Sequence, residues 1–219
     1  SSESTVRSMW FNTPDRQWAP LELAGFGLGR DRVTPHTTFR DSDAGYLLLG
    51  LALERASGMS ASELIEEYVS EPLGLANTAL PGDAAAPPSQ DSSLSGHYLS
   101  RDGNSYVCSE PNDITEMSAS TGFTDSGVVS TIDDLGRYAQ AQASQALRDS
   151  DAEPDRFGSP LPASSRAPSW YQATGGAYLV GSMIGQHGWT PGYLTSAYSD
   201  PETGFTVAVV LNNSSAGGM

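Results

Sequence analysis

Two short stretches hold side chains able to move protons or bind a polar ligand. The first, Asp41-Ser42-Asp43, sets two carboxylates at i and i+2 around a hydroxyl. A carboxylate acts as a general base when burial raises its pKa, and two this close repel unless one is protonated or both hold a cation. The same residues have a purely structural reading, in which Asp43 caps a following helix and Asp41 is solvated. The second stretch is Gln186-His187-Gly188-Trp189. It lies among strand signals, so neighbours face opposite ways and Gln186 and His187 serve different sides. Gln186 offers a hydrogen bond without charge. Gly188 leaves room for a backbone to approach a ligand closely.

Other candidates carry less. Cys108 is the lone cysteine, so no internal disulfide forms, and a small buried or half-buried filler is expected there. Ser109 and Glu110 beside it supply no base to activate a thiolate. His36 reads as an exposed loop residue and His97, beside Tyr98, as packing. The three histidines lack ligand spacing, so neither a metal nor a cofactor is expected. Asp133-Asp134 reads as helix capping and complement to the helix dipole. Ser1 could act as an N-terminal nucleophile only if the chain truly starts there.

The elements that must position these residues follow from pattern. Pro20-Leu21-Glu22-Leu23 opens a helix that Gly25, Gly27 and Gly29 should end. Asp43 should cap a helix from Ala44 to Ala56, with Leu47, Leu48, Leu51 and Ala52 inward. Ser60 and Glu63 form a capping box for a helix through Tyr68. Thr131 and Asp134 open another, Ile132 to Leu147. Residues 84–95 read as a surface loop, and His97 to Val107 as a hairpin about Asp102-Gly103-Asn104. Residues 149–168 read as an exposed connection. Beyond Trp170 strand signals dominate, with a turn at Asp200-Pro201-Glu202-Thr203-Gly204 before Phe205 to Asn212. Helices first and an antiparallel sheet last make an α+β fold. The expected division is a mostly helical region at 1–168 and sheet strands at 169–219.

With 219 residues the chain is long enough for a real core. Eleven basic against 26 acidic residues give a net charge of −15, which makes nucleic acid an unsuitable partner. Every basic residue is arginine. A mechanism that needs lysine must therefore find it outside this sequence. No apolar run reaches membrane-spanning length.

Four segments in order resemble the serine β-lactamase and penicillin-binding-protein family, in its class C and D-alanyl-D-alanine carboxypeptidase branch. Phe39 to Gly50 is similar to the family's second motif, Phe-x-Tyr-Ser-Asn followed by Gly-Tyr and Leu-Leu-Gly. Glu71-Pro72-Leu73-Gly74-Leu75 with Thr78 resembles its Pro-Leu-Gly-Met exit. Gly127-Val128-Val129-Ser130-Thr131 with Asp134-Leu135 resembles Gly-Gly-x-x-Ser-Thr-x-x-Asp-Leu. Gly185 to Tyr193 resembles the third motif, Lys-Thr-Gly or His-x-Gly on a strand.

The resemblance implies a β-lactamase/transpeptidase-like fold and a serine hydrolase working through an acyl-enzyme on a peptide, ester or lactam. It also suggests an extracellular or cell-envelope setting. It puts Asp41 at the family's Tyr position, Asp43 at its Asn position and Gln186 at its Lys/His position, with His187 at the variable middle one. Asp41, Asp43, Gln186 and His187 are thus the catalytic candidates, and Ser42, Gly188 and Trp189 the substrate-binding ones. The backbone N–H of Trp189 falls where the family completes its oxyanion hole. No Ser-x-x-Lys occurs here, so the nucleophile is expected on a missing N-terminal segment or a second chain. The altered motifs also fit a degenerate relative that binds a ligand or partner without turnover, or a repurposed acyl-transfer or cyclisation enzyme.

Overall fold

The computed structural model describes residues 9–29, 34, 37–81, 94–99, 101–102, 105–109, 111–147 and 158–215. The expectations for Ser1 and His36, and most of those for the 84–95 loop, fall outside these residues. Helix α1, Pro20–Leu28, starts with proline at its first position, runs through Gly25 and Gly27, and stops at Gly29. Only Gly29, of the three glycines, marks the end. Helix α2, Asp43–Ser57, corrects the capping expectation by one residue. Ser42 is the N-cap, its side chain accepting from Gly45 N–H, and Asp43 is the first helical residue. Both residues suit a cap, and Ser42 is the one with extended backbone angles.

The buried stripe of α2 is narrower than expected. Leu47 and Gly50 are buried, whereas Leu48, Leu49 and Leu53 are exposed, as is Ala52. Gly50 is needed for close approach, since a Cβ there would collide with Thr124. Thr124 in turn donates its hydroxyl to Tyr46 C=O at 2.8 Å. This clamps α2 to the single-turn helix α5, Phe123–Ser126. Trp18, Leu23, Ala24 and Leu47 form the core of this half, with Met9, Trp10, Phe26 and Phe123 packed on it.

The capping box of Ser60 and Glu63 opens α3, Ala61–Ile65. The helix then widens into a π-helical stretch, Glu66–Ser70, before a last turn α4, Glu71–Leu73, closed by left-handed Gly74. Helix α6, Ile132–Ala143, has Thr131 as N-cap and ends short of Leu147. The Asp134 side chain does not cap the helix, against expectation; its N–H bonds the Thr131 cap, and its carboxylate turns elsewhere. It is 2% exposed and accepts from Asn77 N–H at 2.8 Å and the Thr78 hydroxyl at 3.2 Å, tying the 75–78 turn to α6. Cys108 is exposed, against expectation.

Strands β1 (His97–Tyr98) and β4 (Asn112–Asp113) pair with each other. Strands β2 (Arg101–Asp102) and β3 (Ser105–Tyr106) pair antiparallel within the hairpin expected over His97 to Val107, but His97 and Tyr98 pair with β4 instead. The main sheet has six antiparallel strands in the order β10-β9-β8-β7-β6-β5. These are β5 Leu161–Pro162, β6 Tyr171–Thr174, β7 Ala177–Val180, β8 Met183–Thr190, β9 Tyr193–Ser199 and β10 Thr206–Leu211. Its first strand therefore lies ahead of residue 169. Helix α6 packs on β8, β9 and β10. Among the described residues β10 ends the sheet, with Phe205, Val207, Val209 and Leu211 exposed.

Candidate active site

Strand β8 is the longest in the sheet and is paired unevenly. Strand β7 matches it only at Met183–Gly185, whereas β9 follows it from Ile184 to Thr190. From Gln186 onward, one edge of β8 thus lacks a strand neighbour among the described residues. His187 N–H donates to Gln186 Oε1 at 3.1 Å, which identifies it as a group on that edge. Trp189 N–H, two residues on, faces the same edge by strand alternation. The Trp189 indole donates to Ser214 C=O at 2.9 Å, and Gly192 N–H donates to the Ser214 hydroxyl at 2.9 Å, which fixes the end of the strand.

Side chains along β8 alternate as expected. Gln186 and Gly188 are exposed, and His187 is half-buried on the opposite face. Around His187 stands an aromatic group drawn from three strands. Its ring centroid lies 4.5 Å from Tyr178, and its Nδ1 is 2.7 Å from the Tyr198 hydroxyl. Its Nε2 is 3.4 Å from the Tyr171 hydroxyl. Tyr171 stacks on Tyr178 at 5.6 Å, and Phe39 meets Tyr178 edge-on at 5.7 Å. The Phe39 contact brings the segment before α2 against the sheet.

Asp41 follows that contact two residues on, and its charge is felt across the cluster. Burial pushes the His187 imidazole below its ordinary value, with Asp41 pulling the other way. Burial first, then Asp41, Tyr171 and Tyr46, push Tyr178 up to about 12. Tyr171 is raised by burial and then by Asp41. Tyr198 is raised by burial and then by Tyr171 and Tyr178. All four side chains are uncharged near neutral pH, so the cluster works through hydrogen bonds.

The structure brings Asp41 and His187 within electrostatic reach of one another. Asp41, Ser42 and Asp43 are all exposed. Asp41 accepts from Ser42 N–H at 3.0 Å, while the Ser42 hydroxyl is occupied as the N-cap. A third carboxylate, which sequence reasoning missed, faces this loop. Asp125 on α5 has its pKa pushed up to about 6 by burial, then by Asp43 and, less, by Asp41, against a hydrogen bond from Ser126. It meets Asp43 only because Thr124 and Gly50 lock α5 on α2, and no local pattern announces that. Tyr171, Tyr178 and Tyr198 were also passed over. Their signal was period two: Tyr178, Gly185, His187 and Tyr198 share one face of neighbouring strands. Among the described residues no group of three or more metal-ligating side chains could hold an ion, and no helix is long and apolar enough to cross a membrane.

No curated protein sequence matches this one. Solved structures do. A D-stereospecific amidohydrolase from Streptomyces sp. superposes with a TM-score of 0.79 at 19% identity, over 94% of this chain and 59% of that one. The D-amino acid amidase of Ochrobactrum anthropi SV3 complexed with D-phenylalanine gives 0.73 at 23% identity, over 91% and 58%. A penicillin binding protein from Bacillus halodurans gives 0.70 at 18%, over 95% and 62%. The chain thus spans less than two thirds of the length of these structures, and at such identities they establish the fold. The family model named Beta-lactamase matches residues 11–218, nearly the whole sequence, and its helices and antiparallel sheet are those described above, so the chain belongs to the Beta-lactamase family.

Proposed function

We propose that this chain is the substrate-holding part of a serine hydrolase-type acyl-transfer enzyme of the β-lactamase fold. Its nucleophile, a Ser-x-x-Lys serine, comes from a segment outside this sequence. The observation that carries the reading is the edge of β8 from Gln186 to Thr190, beyond the Met183–Gly185 stretch that β7 pairs among the described residues. An amide, ester or lactam carbonyl laid along that edge would find Gly188 without a side chain, at the place where the family resemblance puts the oxyanion-hole strand. Asp41, beside the Tyr171–Tyr178–His187 cluster, supplies negative charge across from the strand. His187 is the acid–base candidate, and Asp43 with Ser42 forms the floor at the start of α2. The substrate class is a small amide or peptide, in a cell-envelope or extracellular setting.

One observation favours a second reading, ligand binding without turnover. The Gln186 side chain folds onto its neighbour's backbone N–H and carries no charge, so position 186 offers no cation.

The test is covalent labelling with a fluorescent penicillin or a fluorophosphonate, followed by intact mass. The chain alone is expected to stay unlabelled, because it contains no Ser-x-x-Lys and no lysine. Together with a polypeptide that carries Ser-x-x-Lys it should take up one acyl group on that serine. A stoichiometric adduct on a serine of this chain alone would overturn the reading. Saturable penicillin binding in the assembled protein without any adduct would establish the second one.

A further inference from the structure

The His187 cluster has a polarity that no motif assigns. Two phenols approach the two ring nitrogens, one at 2.7 Å and one at 3.4 Å. A 2.7 Å contact matches an O–H donor, whereas N–H donors sit nearer 2.9–3.0 Å on the whole. Tyr198 is a protonated phenol, and a neutral imidazole offers one acceptor nitrogen and one N–H. The short contact suits Tyr198 O–H donating to Nδ1, with the ring proton on Nε2. At 3.4 Å the contact between Nε2 and the Tyr171 hydroxyl is long for a hydrogen bond, so a ligand oxygen can compete for it.

Backbone geometry makes the arrangement specific. Gly185 stands opposite Tyr178 on one side and Tyr198 on the other. A Cβ at Gly185 would run into the Ala197 carbonyl, the Tyr198 Cα and the Tyr198 ring. Its absence lets Tyr198 lean along the sheet toward His187, two residues further on the same face. Tyr178, 8% exposed, closes the ring's flat side.

We propose that Tyr198 is a positioning residue for His187: its hydroxyl fixes the Nε2–H tautomer and holds that N–H as a donor for a carbonyl or carboxylate oxygen of the ligand, which takes it over from Tyr171. The groups that face His187 are Tyr171 from β6, Tyr178 from β7, Tyr198 from β9 and Asp41 from the segment before α2. Of these Asp41 is the carboxylate, and its electrostatic pull favours the proton-rich ring. The inference rests on the proposed function only for what the donor is used for.

The test begins on the isolated chain, ¹⁵N-labelled, with the imidazole nitrogens read by long-range proton–nitrogen NMR from pH 5 to 9. His187→Gln assigns the signals among the three histidines. The expected result is one protonated nitrogen, Nε2, and an acceptor Nδ1, with titration below that of an ordinary histidine. In Tyr198→Phe the tautomer should become mixed and the titration should move. In Tyr171→Phe the tautomer should hold. Circular dichroism checks that each variant folds, and the Tyr171 variant keeps the test alive should Tyr198→Phe fail to fold. An Nδ1–H tautomer in the parent chain, or a Tyr198→Phe spectrum identical to it, would overturn the inference. So would a tautomer that follows Tyr171 instead. With the Ser-x-x-Lys segment supplied, Tyr198→Phe should lower kcat about tenfold with KM nearly unchanged, less than the ~10²-fold or more that loss of an acid–base group costs. A correct tautomer in a protein with no turnover would sink the hydrolase reading and leave the positioning intact.

Discussion

Replacing Asp125 with asparagine should make the protein more stable at neutral pH, and only there. The carboxyl sits on α5 facing Asp43 and Asp41, and burial followed by those charges raises its pKa from the ordinary 3.8 to about 6. A raised folded-state pKa means that the fold prefers the neutral acid. Below the unfolded value both states are protonated and the preference is fully present. As pH climbs from 3.8 through about 6 the unfolded chain ionises first, so stability is lost across that window and the loss is complete above it. At full weight the span corresponds to about 3 kcal/mol. Asp125 is more than a third exposed by its accessible surface, however, and water screens such a site, which brings the expectation to about 1 kcal/mol. Asp125→Asn cannot ionise and escapes the loss. Urea unfolding of both proteins at pH 3.5, 5, 6 and 7.5 measures the difference directly. The two should coincide at pH 3.5 and separate by about 1 kcal/mol at pH 7.5, with the variant ahead. A difference that does not change with pH would refute the reasoning, because it would show that Asp125 titrates alike in both states.

Three further outcomes follow from the packing. At Gly188 an added Cβ would meet only Thr195 Oγ1 at 3.6 Å, an ordinary contact, so Gly188→Ala should fold with stability within about 0.5 kcal/mol of the parent yet lose ligand affinity in the assembled protein. Gln186→Ala forfeits one neutral hydrogen bond, about 0.5–1.5 kcal/mol, and should leave binding detectable; a dead Gln186→Ala beside an active Gly188→Ala would transfer the chemistry to residue 186. Asp134→Ala should cost about 2–3 kcal/mol in urea unfolding, because the Asn77 N–H and the Thr78 hydroxyl lose a buried acceptor, and a variant as stable as the parent would contradict that role.

What the sequence made legible was local. Ser60 with Glu63, and Thr131 with Asp134, are spaced so that one side chain reaches a backbone N–H three residues on, and both caps formed where expected. The strand–turn–strand of residues 183–211 follows from alternation and a turn at Asp200–Gly204. Where two local rules compete, the reading slipped. Ser42 and Asp43 are both good caps, and the backbone angles that choose Ser42 depend on how the chain enters α2. The π-helical stretch at Glu66–Ser70 has no sequence mark at all. The outward leucines of α2 misled because their periodicity says which residues are apolar, not which face finds a neighbour. Contacts across long separations stayed hidden for the same reason. Asp125 lies 82 positions from Asp43, and the two meet only through the Gly50–Thr124 contact.

Strand β10 carries a consequence for how the molecule behaves in bulk. Thr206–Leu211 holds no proline and no charge, the usual defences of a sheet margin, and its outward side chains are aliphatic. Among the described residues nothing pairs with this margin, and such a margin is a template on which another strand can pair in register. A net charge of −15 repels copies of the chain, and at physiological salt that repulsion decays over about 8 Å. Colloidal behaviour and folding stability are thus governed by different parts of the chain. Added salt, which barely touches the buried contacts, should therefore favour strand-to-strand association along β10.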